Sequence, residues 1–249
     1  MTTENVRLAI IVLALGLAVS ACEKRQPKTQ KGEMEKEVSM GTTIKWLGHA
    51  GFRIQDGDAV VYIDPWKLDE AAHDATVVLV SHSHYDHYST QDIARASGPA
   101  AKILASADVI KKEGKGRTIE PGHTVTTGDV SITGVASYNP NKRFHPKANE
   151  WLGFLVEVGG KRIYYAGDTD VTDEMKALAN IDLALLPVGG TYTMSANEAA
   201  RATEYIKPGR AIPYHWGDIV GERKDADEFA EKAKCEVTVL NPGQMLTLE

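Results

Sequence analysis

The sequence has 249 residues, of which 25% are charged and 43% hydrophobic, and its formal net charge is −6. A chain of this length and composition builds one large globular domain or two small ones. The mild acidity argues against a nucleic-acid-binding protein, which usually carries a basic face, so we expect no nucleic-acid partner.

The amino-terminal segment is typical of an export signal. A short polar start with the single basic residue Arg7 precedes an apolar run from Leu8 to Ala21. This run is shorter than the roughly 17–25 residues that a membrane-spanning helix needs, which favours the apolar core of a signal peptide. The sequence VSAC, which ends at Cys22, resembles the lipobox of bacterial lipoproteins, in which the cysteine becomes the lipidated first residue. We therefore predict an exported protein, anchored by a lipid on Cys22 at the periplasmic or extracellular face of a membrane.

These patterns divide the chain into three predicted parts. They are a signal peptide at residues 1–21, the lipidated cysteine with a flexible tether at residues 22–41, and a folded domain at residues 42–249. The tether is charged and lacks an apolar period, as expected of a flexible segment. Two alternatives stay open for the leader: an ordinary signal that is cut after Ser20 or Ala21, and an uncleaved anchor.

Downstream of the tether, strand-like runs alternate with helical patterns, which predicts an α/β fold. β-Branched, apolar or alternating runs predict strands within residues 43–65, 76–81, 128–139, 153–168, 181–189 and 236–248. Capping residues and helical patterns predict helices at residues 89–96, 195–206 and 225–234. Asp56 and Gly57 predict a hairpin turn inside the first strand region.

Two segments of the chain are weakly similar to each other. Residues 51–64 and 153–168 both begin with Gly-Phe, pass through a glycine-containing turn and a second strand, and end in an aspartate, Asp64 or Asp168. The similarity indicates two similarly built halves that lie side by side, each with a hairpin that ends in a carboxylate.

Three of the eight histidines lie in SHSHYDHYS, residues 81–89, directly after a predicted buried strand. In an extended chain, the side chains of His82 and His84 project to the same side and can converge on one ion. Asp86 and His87 follow where the chain turns toward a helix, so they can point to an adjacent position. Since neutral imidazoles and carboxylates are good ligands for Zn²⁺, the cluster predicts a metal site.

The pattern His-x-His-x-Asp-His after a buried strand resembles the signature of the metallo-β-lactamase superfamily. The resemblance runs from about Thr43 to Glu249 and includes later landmarks in FHPK, YYAGDTD and IPYHWGD. It implies a four-layer αβ/βα sandwich with two similar halves and with metals at one edge of the two sheets. The motifs WLGHAGF, IDPW, FHPK, GDT and PVGGTYTMSANEAA are most similar to the branch that holds the ascorbate-6-phosphate lactonase and many uncharacterised metal-dependent hydrolases.

The resemblance also implies ligands for two divalent metal ions, with zinc expected and manganese as the alternative. The implied ligands are His82, His84 and His145 for the first metal, Asp86, His87 and His215 for the second, and Asp168 as the bridge between them. Asp64 is expected to accept a hydrogen bond from a ligating imidazole and so to fix its tautomer.

The expected function is that of a dinuclear metal-dependent hydrolase in which a metal-bound hydroxide attacks an ester-like bond, such as a lactone or a phosphodiester. Asp86 is expected to orient the hydroxide or carry its proton, and the substrate is expected to be a small molecule or lipid-like. Tyr192 and Thr193 are expected near the substrate pocket, and His49 either lies there or packs in the core. The alternative is a non-catalytic lipoprotein that binds a metal or ligand; such a relative would be expected to lack some of the ligands, and none is missing here.

Overall fold

The computed structural model describes residues 41–249, so the predictions for the signal peptide, for Cys22 and for the rest of the tether before residue 41 lie outside the described residues. The strands of the described chain are β1 (Thr42–Gly48), β2 (Gly51–Asp56), β3 (Ala59–Ile63), β4 (Ala75–Val80), β5 (Ser97–Ala105), β6 (Arg117–Thr118), β7 (Thr124–Thr127), β8 (Val130–Ala136), β9 (Leu152–Val158), β10 (Lys161–Tyr165), β11 (Leu183–Pro187), β12 (Arg210–Tyr214), β13 (Glu236–Val237) and β14 (Met245–Leu248). Its helices are α1 (Thr90–Ala96), α2 (Ala107–Glu113), α3 (Asp173–Lys176), α4 (Ala196–Ile206) and α5 (Arg223–Lys232). None of these helices has the length and apolar character needed to cross a membrane.

Each region that the sequence predicts as strand or helix contains that element, including the hairpin turn between β2 and β3. The sequence patterns do not indicate β5, β6, β7, β12, α2 or α3. β5 begins with Ser-Gly-Pro, and glycine and proline both disfavour strand interiors. β6 has two residues and α3 has four, which is too short for a periodic pattern to appear.

The two sheets repeat the same sequence of strand directions. In the first sheet, ordered β14-β1-β2-β3-β4-β5-β6, strands β1 to β3 pair antiparallel and β3 to β6 pair parallel. In the second, ordered β13-β12-β11-β10-β9-β8-β7, strands β8 to β10 pair antiparallel and β10 to β13 pair parallel. The hairpin β2–β3 therefore corresponds to β9–β10. The predicted similarity between the two halves is confirmed.

The central strands β3 and β4 of the first sheet are largely buried on both faces, and their side chains alternate between two cores. Val61 and Ile63 of β3 belong to the core shared with the second sheet. Val60 and Tyr62, the alternate residues, pack with Ile93 of α1 against the outer helices. The larger core also holds buried residues of the second sheet and of α4 and α5. The arrangement matches the expected four-layer αβ/βα sandwich.

Side-chain caps fix where the helices near the site begin. The Ser89 hydroxyl accepts a hydrogen bond from the backbone N–H of Asp92, so α1 begins directly after the histidine-rich segment. α4 begins with a capping box in which Ser195 and Glu198 bond each other's backbone N–H. Each cap ends a connection that follows a parallel strand, β4 or β11.

Candidate metal centre

The predicted ligands lie on connections at one edge of the two sheets. Residues 82–87 join β4 to α1, His145 lies between β8 and β9, Asp168 follows β10, and His215 follows β12. Because β4, β10 and β12 pair with parallel neighbours, their carboxyl ends bring these connections to the same edge of each sheet.

Three histidines form the first cluster. Nε2 of His82 lies 3.0 Å from Nδ1 of His84. Ligand atoms of His82, His84 and His145 all lie within 4.8 Å of one another. His82 and His145 are buried, while His84 is partly exposed. The structure thus brings together the three histidines that the resemblance implies for the first metal.

His49, Asp86, His87 and His215 form the second cluster, with ligand atoms again within 4.8 Å of one another. Oδ2 of Asp86 lies 3.8 Å from Nε2 of His87 and 3.9 Å from Nε2 of His215. The second predicted set therefore comes together as well, with His49 as an additional neighbour.

Asp168 lies between the two clusters and contacts both. Its Oδ1 lies 3.2 Å from Nε2 of His87 and 3.2 Å from Nε2 of His215. Its Oδ2 lies 3.3 Å from Nε2 of His145. The two oxygens of one carboxylate thus face different clusters, which is the arrangement that a bridging ligand needs.

Several of these ligand atoms are buried and, despite the short distances around Asp168, have no partner in hydrogen-bond geometry among the described residues. They are Nε2 of His87, His145 and His215, and Oδ1 of Asp168. A buried polar atom without a partner costs free energy, so several together require an explanation. Imidazole nitrogens and carboxylate oxygens are the donors that divalent cations such as Zn²⁺ bind. The residues therefore fit metal ions, whose coordination would satisfy these atoms.

Asp64 is fully buried beside the second cluster and orients His87. Its Oδ2 accepts hydrogen bonds from Nδ1 of His87 at 2.7 Å, from the Ser81 hydroxyl at 2.6 Å and from the Tyr165 phenol at 2.6 Å. Since the carboxylate accepts from Nδ1, the proton of a neutral His87 lies there and Nε2 is free to face Asp168. The hydrogen bond expected of Asp64 is present.

Two orienting residues, Tyr165 and Asn139, have no signal in the sequence beyond their place near the end of a strand. The amide oxygen of Asn139 accepts hydrogen bonds from Nδ1 of His145 at 2.8 Å and from its backbone N–H at 3.1 Å. The amide nitrogen of Asn139 donates to the carbonyl oxygen of Tyr192 at 3.0 Å. Asn139 therefore fixes the ring of His145 relative to the loop that carries Tyr192.

Three site residues adopt positive φ angles: His49 at 45°, Asp64 at 44° and His215 at 63°. Such a conformation costs about 1–3 kcal/mol for a residue other than glycine and is concentrated at functional sites. Gly189 leaves space for His215, because a Cβ on Gly189 would lie 2.4 Å from the carbonyl oxygen of His215. The fold thus holds the site in a backbone arrangement that the surrounding packing must support.

The carboxylates favour positive charge at the centre. Burial would lower the pKa of His87, but the charges of Asp168 and Asp64 outweigh it and raise the pKa well above its usual value. Burial would raise the pKa of Asp168, but the charges of His215 and His87 hold it well below its usual range. Burial lowers the pKa of His82 well below its usual value. The centre therefore combines an ionised carboxylate with a potential that attracts cations.

His49 holds Asp86 in place. Its Nε2 lies 3.0 Å from Oδ2 of Asp86, and its ring centroid lies 4.1 Å from that of His215. Burial lowers the pKa of His49 despite the hydrogen bond to Asp86. A neutral His49 then donates the Nε2 proton to the carboxylate. His49 is therefore buried and contacts a proposed ligand, but it does not line the cavity that adjoins the clusters.

A cavity of about 260 Å³ adjoins both clusters. It is lined by residues of the clusters and by Tyr85, Phe144, Tyr192 and Ile219. Of the residues expected near the substrate, Tyr192 lines the cavity. Thr193 is fully buried, and neither it nor His49 lines the cavity in this structure.

Residues 43–215 match the family described as the Beta-lactamase superfamily domain. A UPF0173 metal-dependent hydrolase from Anaeromyxobacter sp. (strain K) is 31% identical over an alignment that covers 98% of this chain and 97% of the relative. Another from Thermococcus kodakarensis is 37% identical over an alignment that covers 82% of this chain and 99% of that relative. The chain belongs to the UPF0173 metal-dependent hydrolases of the metallo-β-lactamase superfamily. The predicted superfamily and enzyme class are confirmed.

Solved structures confirm the metallo-β-lactamase fold. A protein from Parabacteroides distasonis, assigned as a metal-dependent hydrolase, has a TM-score of 0.74 at 30% identity and covers 82% of this chain and 94% of that chain. A metallo hydrolase from Ignicoccus hospitalis has a TM-score of 0.68 at 23% identity and covers 84% of this chain and 98% of that chain. The second likeness concerns the fold alone.

Proposed function

We propose that this metal-dependent hydrolase is dinuclear and cleaves an ester-like bond, such as that of a lactone or a phosphodiester. The observation that carries the proposal is the group of four buried ligand atoms without a hydrogen-bond partner, on His87, His145, Asp168 and His215. Two groups of donors lie on either side of Asp168, and each is large enough to hold one ion.

The proposed first ion binds His82, His84 and His145, the second binds Asp86, His87 and His215, and Asp168 bridges them. A donor set of five imidazoles and two carboxylates favours zinc, with manganese as the alternative. Since His84, Asp86, His145, Asp168 and His215 all line the cavity, a substrate there would be within reach of both ions.

The bound cations would lower the pKa of a water molecule toward neutrality and polarise the bond that is attacked. We assign Asp86 as the residue that accepts the proton of this water molecule. Its Oδ2 accepts a hydrogen bond from His49, while the residue itself lines the cavity. This hydrogen bond fixes the carboxylate plane, so that its other oxygen can orient a water molecule and accept a proton from it.

We further propose that the enzyme acts as an exported lipoprotein, as the VSAC sequence and the preceding apolar run suggest. Metabolic labelling with a fatty acid tests this, because label should enter the wild-type chain and be lost from Cys22→Ser. Label that persists in Cys22→Ser would contradict lipidation at this cysteine.

Because the sequence motifs resemble those of the branch that holds a lactonase, lactones are the first substrates to test.

A substrate panel tests the hydrolase proposal. It combines lactones, phosphodiesters, thioesters and β-lactams with the purified chain, either loaded with zinc or manganese or treated with a chelator. We expect the metal-loaded chain to hydrolyse an ester-like bond. Asp168→Ala should lower the metal content and should lower activity by about 100-fold or more, because loss of a residue that only orients a ligand typically costs about 10- to 100-fold. Equal activity of the chelated and loaded proteins would refute the proposal.

A further inference from the structure

The cavity beside the clusters has an apolar mouth. Among residues 41–249, five large hydrophobic side chains are exposed, and three of them line this cavity: Tyr85 at 68% exposure, Tyr192 at 37% and Ile219 at 36%. Phe144 also lines it and packs edge-on against Tyr192, with 4.8 Å between ring centroids. Single exposed hydrophobic residues are ordinary, but several around one concave site indicate that apolar ligand surface is buried there.

These four side chains come from four separate connections. Tyr85 lies between β4 and α1, Phe144 between β8 and β9, Tyr192 between β11 and α4, and Ile219 between β12 and α5. Both halves of the fold therefore contribute. We call Tyr85, Phe144, Tyr192 and Ile219 the apolar collar.

Apart from the two proposed metal ions, the described lining of the cavity holds no cation that could recognise an anionic substituent. Among the described residues, no lysine or arginine lines it. Of the cations on neighbouring connections, Lys67 pairs with Asp218 at 2.7 Å and Lys142 with Asp170 at 2.6 Å. The guanidinium carbon of Arg143 lies over the Phe144 ring, 5.7 Å from its centroid, and Arg143 does not line the cavity. Phosphate and carboxylate groups of ligands are usually bound by free arginine or lysine side chains. An anionic tail that extends away from the metal ions would lie against the apolar collar and lose hydration without a lysine or arginine of the lining to compensate for it.

We propose that the substrate is an uncharged ester or lactone with an alkyl or aryl group of medium length, and that the apolar collar binds this group. The inference rests on the proposed hydrolase function and narrows it. Hydrolysis adds one water to the acyl carbon, breaks the acyl C–O bond and yields a carboxylate, an alcohol and a proton. The cavity, at about 260 Å³, lies below the roughly 300–1,000 Å³ of sites for drug-sized ligands, so the reacting group occupies it and the apolar group extends over Tyr85.

A series of γ-lactones with unbranched alkyl groups, from methyl to octyl, tests the proposal on the purified, metal-loaded full-length chain. Since each buried methylene group contributes about 0.8 kcal/mol, kcat/KM should rise about two- to fourfold per carbon until the group exceeds the collar. The gain should appear mainly in KM. Lactones of equal length that end in a carboxylate should react at least about tenfold more slowly.

Two collar variants and one matched control separate recognition from general effects. Tyr85→Ala and Ile219→Asp should flatten the dependence on alkyl length, with the change mainly in KM. Tyr205→Ala removes a tyrosine of similar exposure, at 50%, that lies on α4 and does not line the cavity. This control should keep the wild-type dependence on alkyl length.

Equilibrium binding gives a readout that does not depend on turnover. The probes are 2-alkylcyclopentanones, which cannot be hydrolysed. We expect them to bind more tightly as the alkyl group lengthens, in both metal-loaded and chelated protein. Tyr85→Ala should reduce this dependence of affinity on alkyl length. Lactone hydrolysis that is independent of alkyl length, or faster with the carboxylate tail, would overturn the collar assignment and leave the hydrolase function intact. Absence of hydrolysis of every ester, lactone and phosphodiester would overturn the hydrolase function and the substrate class with it.

Discussion

Asp64 and Asp168 approach the two ring nitrogens of His87, one at each. Oδ2 of Asp64 lies 2.7 Å from Nδ1, and Oδ1 of Asp168 lies 3.2 Å from Nε2. The aspartates follow β3 and β10, which are corresponding strands of the two halves. The repeated topology therefore places one carboxylate where it orients the imidazole and the other where it shares the proposed cation.

Replacement of Asp64 by asparagine should weaken metal binding. The amide cannot accept hydrogen bonds as strongly as the carboxylate does from His87, Ser81 and Tyr165, so the His87 ring loses its fixed tautomer. Loss of such an orienting partner typically costs about 10- to 100-fold in metal affinity. Competition against a chromophoric chelator measures this affinity. Tyr165→Phe, which removes a single hydrogen-bond donor, should lower metal affinity less. A folded Asp64→Asn chain with wild-type metal affinity would contradict the orienting role of Asp64.

Removal of the His49 side chain should impair turnover while the metal content is retained. His49→Leu loses the hydrogen bond that holds Asp86, so we expect kcat to fall about 10- to 100-fold. His49→Gln keeps an N–H donor and should recover part of the loss. Metal analysis and steady-state kinetics on the same preparations provide the check. A drop in metal content equal to the drop in kcat would show that His49 acts as a ligand instead.

The α/β class and most of the proposed ligands could be predicted because they depend on local patterns, whereas the four-layer sandwich came with the family resemblance. β4 is a continuous apolar run with β-branched residues, and the close spacing of His82, His84, Asp86 and His87 appears in the sequence itself. The repeated hairpins also predicted the two halves. Roles for His145, Asp168 and His215 came only with the family resemblance, since nothing in the local sequence shows that these residues meet.

The parts that could not be predicted depend on contacts between distant segments. Asn139 and His145 meet within a connection that lacks regular patterning, and Tyr165 reaches Asp64 across 101 positions of sequence. The positive φ angles of His49, Asp64 and His215 have no sequence signal, because none of the three is glycine. Ile219 gave no signal either, since its importance comes from the cavity that it shares with Tyr85.

Gly189 should be sensitive to a single methyl group. In Gly189→Ala, the new Cβ would lie 2.4 Å from the carbonyl oxygen of His215, so the backbone of this proposed ligand must shift. We expect the free energy of unfolding to fall by about 1–3 kcal/mol and the metal content to fall with it. Denaturant unfolding measures the first quantity. In Gly209→Ala the nearest contact is 3.1 Å, so this control should cost less, and equal losses in the two variants would contradict the steric explanation.

The thiol of Cys235 should react slowly in the folded protein. Burial raises its pKa to about 11, so at pH 8 roughly one molecule in a thousand carries the reactive thiolate. In Cys22→Ser, Cys235 is the single remaining cysteine, and a chromogenic disulfide reagent reports on it alone. The reaction should be about 100-fold slower than in urea-unfolded chain and should accelerate as the pH rises toward 11. Equal rates in folded and unfolded chains would contradict the burial of this thiol.

The metal content of the purified full-length chain shows whether the two clusters hold two divalent ions. Elemental analysis should find close to two equivalents of divalent metal per chain. Chelation should remove them, abolish hydrolysis and lower the melting temperature by on the order of 5–10 °C, because bound ligand stabilises the folded state. A folded chain that contains no metal and still hydrolyses its substrate would contradict hydrolysis by a metal centre.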